Sequence, residues 1–218
     1  MAPHSGGVMH KHLQASAVVW IAVTALLTTS SESPAAERLV VRTYNNAGVS
    51  AAEMTEARRV AGVILEGAGL QAVWRDCTSA CGDALGPREL IVRIVPAPKG
   101  IVADSLGCAL IDLEDGAGIL ATVYSDRINV VASRTGVDAG TLLGRAVAHE
   151  IGHLLLGTAR HSPSGLMRAL WSDRELQRKA PADWTFAPDE VARIDRRLAT
   201  RRCEACSIMA QIRPIQPE

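Results

Sequence analysis

His149 and His153 stand four residues apart in His149-Glu150-Ile151-Gly152-His153. On a helix that spacing stacks two imidazoles on one face, where each can direct a nitrogen at a single cation. Glu150 follows His149 by about 100° of helix rotation. That is near enough to take a proton from a water at the cation without ligating it. A helix supplies only two ligands at this spacing, so a third must return from beyond its end. Gly157 can end the helix, and a turn can bring His161 back. Three histidines with an open fourth position form a catalytic type of zinc shell. The chemistry such a group implies is metal-assisted hydrolysis with Glu150 as general base.

The histidine count sharpens the pattern. The chain has six histidines, and three of them, His4, His10 and His12, lie near its start. That region reads as a secretory signal over residues 1–36: Lys11, then the uncharged and largely apolar run Ala15 to Leu27, then a cleavage region at Ser33-Pro34-Ala35-Ala36. Its removal leaves His149, His153 and His161 as every histidine of the mature chain. The other reading of the same run is an uncleaved anchor, although it is short for a membrane span.

Residues 149–167 resemble the metzincin metallopeptidases, whose signature is H-E-x-x-H-x-x-G-x-x-H followed by a methionine turn. His149, Glu150 and His153 match position for position. Gly157 comes one residue later than the family glycine, and His161 two residues later than the third histidine. Met167 resembles the methionine of the turn, which in that family forms a hydrophobic floor beneath the metal; core packing is the plainer role for it. The resemblance implies an α+β fold with a twisted, mixed five-stranded sheet, two long helices, the methionine turn and a C-terminal helix. It also implies that Leu106–Asp112 is an antiparallel edge strand over the metal cleft, along which an extended polypeptide substrate adds as a further strand.

The elements that must position these residues can be read from the pattern alone. Alternating, β-branched or apolar runs predict strands at 38–45, 71–75, 89–96, 106–113 and 119–124, the third of them buried. Ser50-Ala51-Ala52-Glu53 is a capping box, opening a helix whose apolar stripe is Met54, Ala57, Ala61, Ile64, Leu65 and Ala68. Gly67 and Gly69 are candidate stops for it. Asp138 or Thr141 can cap a helix over 142–156 that carries the histidine pair. A short helix is expected over 172–179. Pro188-Asp189-Glu190 opens a last one, with Val191, Ile194 and Leu198 buried and a basic cluster at its negative end. One domain over 37–206 and a loose tail over 207–218 account for the rest, with no separate pro-domain expected before the first strand.

The whole sequence is 218 residues with 23 basic and 23 acidic side chains, so nothing in its charge points to nucleic acid or an anionic membrane. An exported chain, secreted or periplasmic, admits disulfides. Its five cysteines suggest Cys77–Cys81 and Cys203–Cys206 bridges, with Cys108 left as a small buried hydrophobe or, less simply, a thiol that caps the metal. Two alternatives remain open from residues alone. Glu175, or more weakly Asp173, could replace His161 as third ligand, since other H-E-x-x-H enzymes use two histidines and a distant glutamate. The chain could instead be a non-catalytic, zinc-binding protein that acts on carbohydrate or protein partners, although a pure binding site has no use for a base at Glu150.

Overall fold

Residues of alternating polarity form five strands in one sheet: β1 (Glu37–Asn45), β2 (Leu70–Asp76), β3 (Glu89–Val95), β4 (Gly107–Leu110) and β5 (Leu120–Tyr124), in the order β2-β1-β3-β5-β4. This computed structural model describes residues 36–211 other than 78–80, 102–103, 113 and 179, with side chains of the last helix described through residue 201. The expected signal segment and Cys203–Cys206 bridge lie outside what is described. Among the described residues, no helix is long and apolar enough to cross a membrane.

Four strands are parallel, and β4 runs antiparallel to β5 at the edge, as the tight Asp115–Gly118 connection requires. The register aligns Val41 with Leu90, Val92 with Ala121 and Ile94 with Val123, so one face of the sheet is continuously apolar and buried. The other face carries exposed Arg38 and Arg93, so β3 is buried through Leu90, Val92 and Ile94 on one side. β4 is also shorter than its predicted run, because pairing extends only from Gly107 to Leu110.

Helix α1 (Ala51–Glu66) has the predicted reciprocal cap between Ser50 and Glu53 and is closed by Gly67. It covers the buried face together with α3 (Ala139–Leu156), whose cap is Asp138 accepting from the Thr141 N–H at 2.7 Å. The two helices pack backbone to backbone. A Cβ at Gly144 would meet the Ala57 carbonyl oxygen at 2.5 Å, and one at Gly140 the Glu53 carbonyl oxygen at 2.9 Å. That closeness fixes the depth and roll of the helix that carries the histidine pair.

One helix has no counterpart in the sequence reading. α2 (Ser125–Thr135) starts directly after β5, with Asp126 in its first turn, Arg134 in its last and Gly136 left-handed at φ 71° as its cap. Beyond α3 come the short α4 (Asp173–Gln177), a 3₁₀ turn Pro181–Trp184 and the long α5 (Pro188–Gln211), which passes the expected tail boundary at Ser207. The predicted Cys77–Cys81 bridge is formed. Buried Arg42 orders the loop after it by donating to the carbonyls of Asp83 and Ala84 and pairing with Glu89.

Candidate metal centre

α3 turns His149 and His153 to the same side, and both rings are nearly buried. His149 Nδ1 donates to the Leu166 carbonyl at 2.9 Å and His153 Nδ1 to the Thr158 carbonyl at 2.8 Å. A carbonyl can only accept, so each Nδ1 carries the ring hydrogen and each Nε2 a lone pair. The two Nε2 atoms face each other at 3.1 Å, and His161 Nε2 stands 3.3 Å from that of His153. One donor atom from each histidine lies within 4.8 Å of the others.

Burial depresses all three imidazoles, His149 to about 4, which keeps them neutral at physiological pH. Neutral rings with converging lone pairs repel one another unless a cation lies between them. The donor set therefore fits a zinc ion: three imidazole nitrogens, two of them oriented through the opposite ring nitrogen, with a side left open.

The third histidine depends on contacts from elsewhere in the chain. Gly157 takes the left-handed conformation at φ 59° and ends α3, its N–H on the His153 carbonyl. The guanidinium of Arg197 on α5 and the carbonyl of Gly116 press against the space a Cβ would need there. The loop then closes on itself, with Ser162 N–H donating to the Met167 carbonyl at 2.8 Å. Ser162 Oγ donates to Glu190, the third residue of α5, whose other carboxylate oxygen accepts the Ala187 N–H at 2.7 Å. Met167 is fully buried, its sulfur against Gly152 on α3, where a Cβ would lie 2.5 Å from Sδ.

Glu150 projects towards the edge strand. A Cβ on Gly107 would lie 2.8 Å from Glu150 Oε1 and 2.6 Å from the Thr122 carbonyl oxygen, so only glycine lets β4 pass this close. Burial pushes the Glu150 carboxyl up to about 8.

A cleft of about 790 Å³ opens over the histidines between β4, α2 and residues 168–176. Its lining includes the face of α2 made by Arg127, Val130, Val131 and Arg134, and Trp171, which meets the His149 ring edge-on at 5.5 Å between centroids. The sequence reading did not find these residues. The acidic and basic ends of α2 and the glycine after it were the signal that could have found the helix.

The rival third ligands are committed elsewhere. Glu175 caps α4 through Ser172 and pairs with Arg168 at 2.7 Å, and Asp173 pairs with Arg134 at 2.8 Å. Cys108 is exposed rather than buried, because it stands on the edge strand. Since the Cβ direction of Gly107 meets Glu150, the next residue points to the opposite face of the sheet. There the Cys108 sulfur accepts the Tyr124 hydroxyl at 3.3 Å, and the thiol does not join the histidine cluster.

No family model matches the chain, and no curated protein sequence matches it. Solved structures do. Archaemetzincin from Methanopyrus kandleri superposes with a TM-score of 0.50 at 15% identity, covering 74% of this chain and 96% of that one. A zinc-dependent peptidase from Methanocorpusculum labreanum gives 0.48 at 16% identity, covering 71% of this chain and 99% of that one. At such identities the likeness to the archaemetzincin is one of fold: an α+β chain with a mixed five-stranded sheet, into which the three-histidine cluster is built.

Proposed function

We propose that this chain is an exported zinc-dependent peptidase. It hydrolyses peptide bonds of an extended polypeptide laid along β4, with His149, His153 and His161 as zinc ligands and Glu150 as general base. The observation that carries the reading is the convergence of three imidazole Nε2 atoms, two of them held with the lone pair inward, beside a buried carboxyl group on the floor of an open cleft. Bound there, zinc would supply Lewis acidity, lowering the pKa of water in the cleft towards ~7 and polarising a scissile carbonyl.

The chain's own residues do the rest. The Leu166 and Thr158 carbonyls hold two rings in the tautomer that leaves Nε2 free. Met167, packed at Gly152, forms an apolar floor that steadies the helix turn between the two histidines. The outer edge of β4, unpaired among the described residues, offers backbone donors and acceptors to a peptide. Glu150 takes a proton from the attacking water and passes it to the leaving nitrogen. Its burial makes proton uptake easy, and a nearby cation favours return to the carboxylate. Export is part of the proposal, and the Cys77–Cys81 bridge supports it, because such a bridge persists in an oxidising compartment.

The test is metal analysis of the purified chain together with cleavage of a generic denatured protein, with and without a chelator. Glu150→Gln should retain zinc and lose about 10²–10⁴-fold in turnover, the usual worth of a general base. A chain that takes up no zinc, or a Glu150→Gln variant that cleaves normally, would defeat the reading.

A further inference from the structure

Resting on the peptidase reading, we propose that Arg127 binds a carboxylate of the substrate, so that the cleft selects peptides presenting an acidic group to the α2 wall. Arg127, Val130, Val131 and Arg134 fall at helical positions i, i+3, i+4 and i+7, and all four line the cleft. Three arginines reach this lining. Arg134 is neutralised by Asp173 at 2.8 Å and Arg168 by Glu175 at 2.7 Å. Arg127 has neither a hydrogen bond nor an ion pair among the described residues, and its Nε is buried without a partner.

The acids around Arg127 do not compensate it. Its neighbour Asp126 accepts the Ala97 N–H at 2.8 Å, and Asp104, which also lines the cleft, makes no ion pair with it among the described residues. Apolar side chains stand beside it, with Val130 62% and Leu170 66% exposed, and Arg127 is the one uncompensated cation the cleft lining presents among the described residues. A half-buried guanidinium with free N–H groups matches a carboxylate in shape as well as charge. An Asp or Glu side chain and a free C-terminus offer the same chemistry.

The experiment uses three peptides of one sequence: a neutral form with Gln and a C-terminal amide, a form with Glu in place of Gln, and a form with a free C-terminus. Affinities are measured by calorimetry on zinc-loaded Glu150→Gln protein, which binds without rapid turnover. One carboxylate form should bind about tenfold more tightly than the neutral form, the low end for a charge-assisted hydrogen bond because the site is partly wet. The form that gains identifies the source of the carboxylate. Arg127→Met in the same background should bring the ratio close to one, and Arg127→Lys should retain part of it. A carboxylate held by the metal alone would keep its advantage in Arg127→Met.

Equal affinity for all three peptides, no binding at all, or a preference that survives Arg127→Met overturns the proposal. If Arg127→Met does not fold, Arg127→Gln and the comparison of peptides on the protein with Arg127 intact decide it. Cleavage of the same peptides by the wild-type chain is scored separately. An Arg127-dependent preference without hydrolysis upholds the subsite and defeats the peptidase reading.

Discussion

Two of the three histidines and the third are held by opposite strategies. His149 and His153 sit within one helix, buried, each ring locked by a single bond to a nearby carbonyl. His161 is exposed and lies on a loop whose course is set by partners far along the chain: Arg197 and Gly116 against Gly157, Glu190 on Ser162, and Thr185, whose carbonyl accepts the Leu166 N–H at 2.9 Å. The pair is a local consequence of helix geometry. The third ligand is a tertiary construction, and α5 is the element that builds it.

The comparison is broken most severely by removing ligands. His149→Ala and His153→Ala should each lower zinc affinity by more than the ~10–100-fold typical of a group that only orients a ligand. His161→Ala should also cost affinity strongly, but with less effect on the stability of the metal-free chain, since its ring is exposed whereas the other two are packed. Competition for zinc with a chelator, together with melting of the metal-free proteins, reads both quantities. Unchanged zinc affinity in His161→Ala would mean that the loop does not complete the shell.

The same contrast explains what could be read from the sequence. The strands, the capping box at Ser50, the cap at Asp138 and the stop at Gly157 are local signals, and the structure bears each of them out. The histidine pair was legible for the same reason. The path of the loop to His161 was not, because Arg197 lies 36 residues beyond His161 and its packing at Gly157 leaves no periodic trace. The cysteine at 108 was misread as buried although its strand was expected at the edge, because which side chains of that strand face the core is set by its pairing register and not by composition. Gly107 was passed over for a related reason: a glycine in a strand shows its purpose only when the carboxylate beneath it is known. Helix α2 was overlooked despite its end signals, and with it one whole wall of the cleft.

Gly157→Ala tests the hinge between the two regimes. A left-handed alanine costs about 1–2 kcal/mol, and the Arg197 guanidinium must also move aside. A loss on the order of 2–3 kcal/mol in stability is expected, with weaker zinc binding, while the helical signal of α3 persists. Denaturant melts with and without zinc separate the contributions. A variant with wild-type stability and affinity would show that the turn tolerates what its geometry forbids.

Acidity probes the buried pair without any substitution. Glu150 is raised to about 8 when folded, against 4.5 when exposed, so the folded metal-free chain binds the extra proton between those values. Stability from this group is therefore present at low pH and lost as pH rises, by on the order of 1–2 kcal/mol between pH 6.5 and 8. His149 is depressed to about 4 and acts in the opposite sense, costing stability as pH falls below 6.5. Glu150→Gln should abolish the loss above pH 6.5, and bound zinc should do the same by favouring the carboxylate. A metal-free protein whose stability is flat from pH 6.5 to 8 would contradict the burial of that group.

The smallest effect is expected at Ser162. Its hydroxyl donates to Glu190, and its backbone N–H is held separately by the Met167 carbonyl. Ser162→Ala thus removes the hydrogen bond that ties the His161 loop to Glu190 of α5, and leaves Glu190 Oε1 short of a donor in a buried position. A stability loss of about 1 kcal/mol follows from one hydrogen bond. The effect should appear more clearly as a several-fold rise in the rate of zinc release than as a shift in melting, because the tie restrains the exposed ligand and not the core. Ser162→Thr keeps the hydroxyl and should restore the slower release. If Ser162→Ala releases zinc as slowly as wild type while Gly157→Ala does not, the turn alone sets the position of His161, and the link from α5 through Glu190 is only a helix cap.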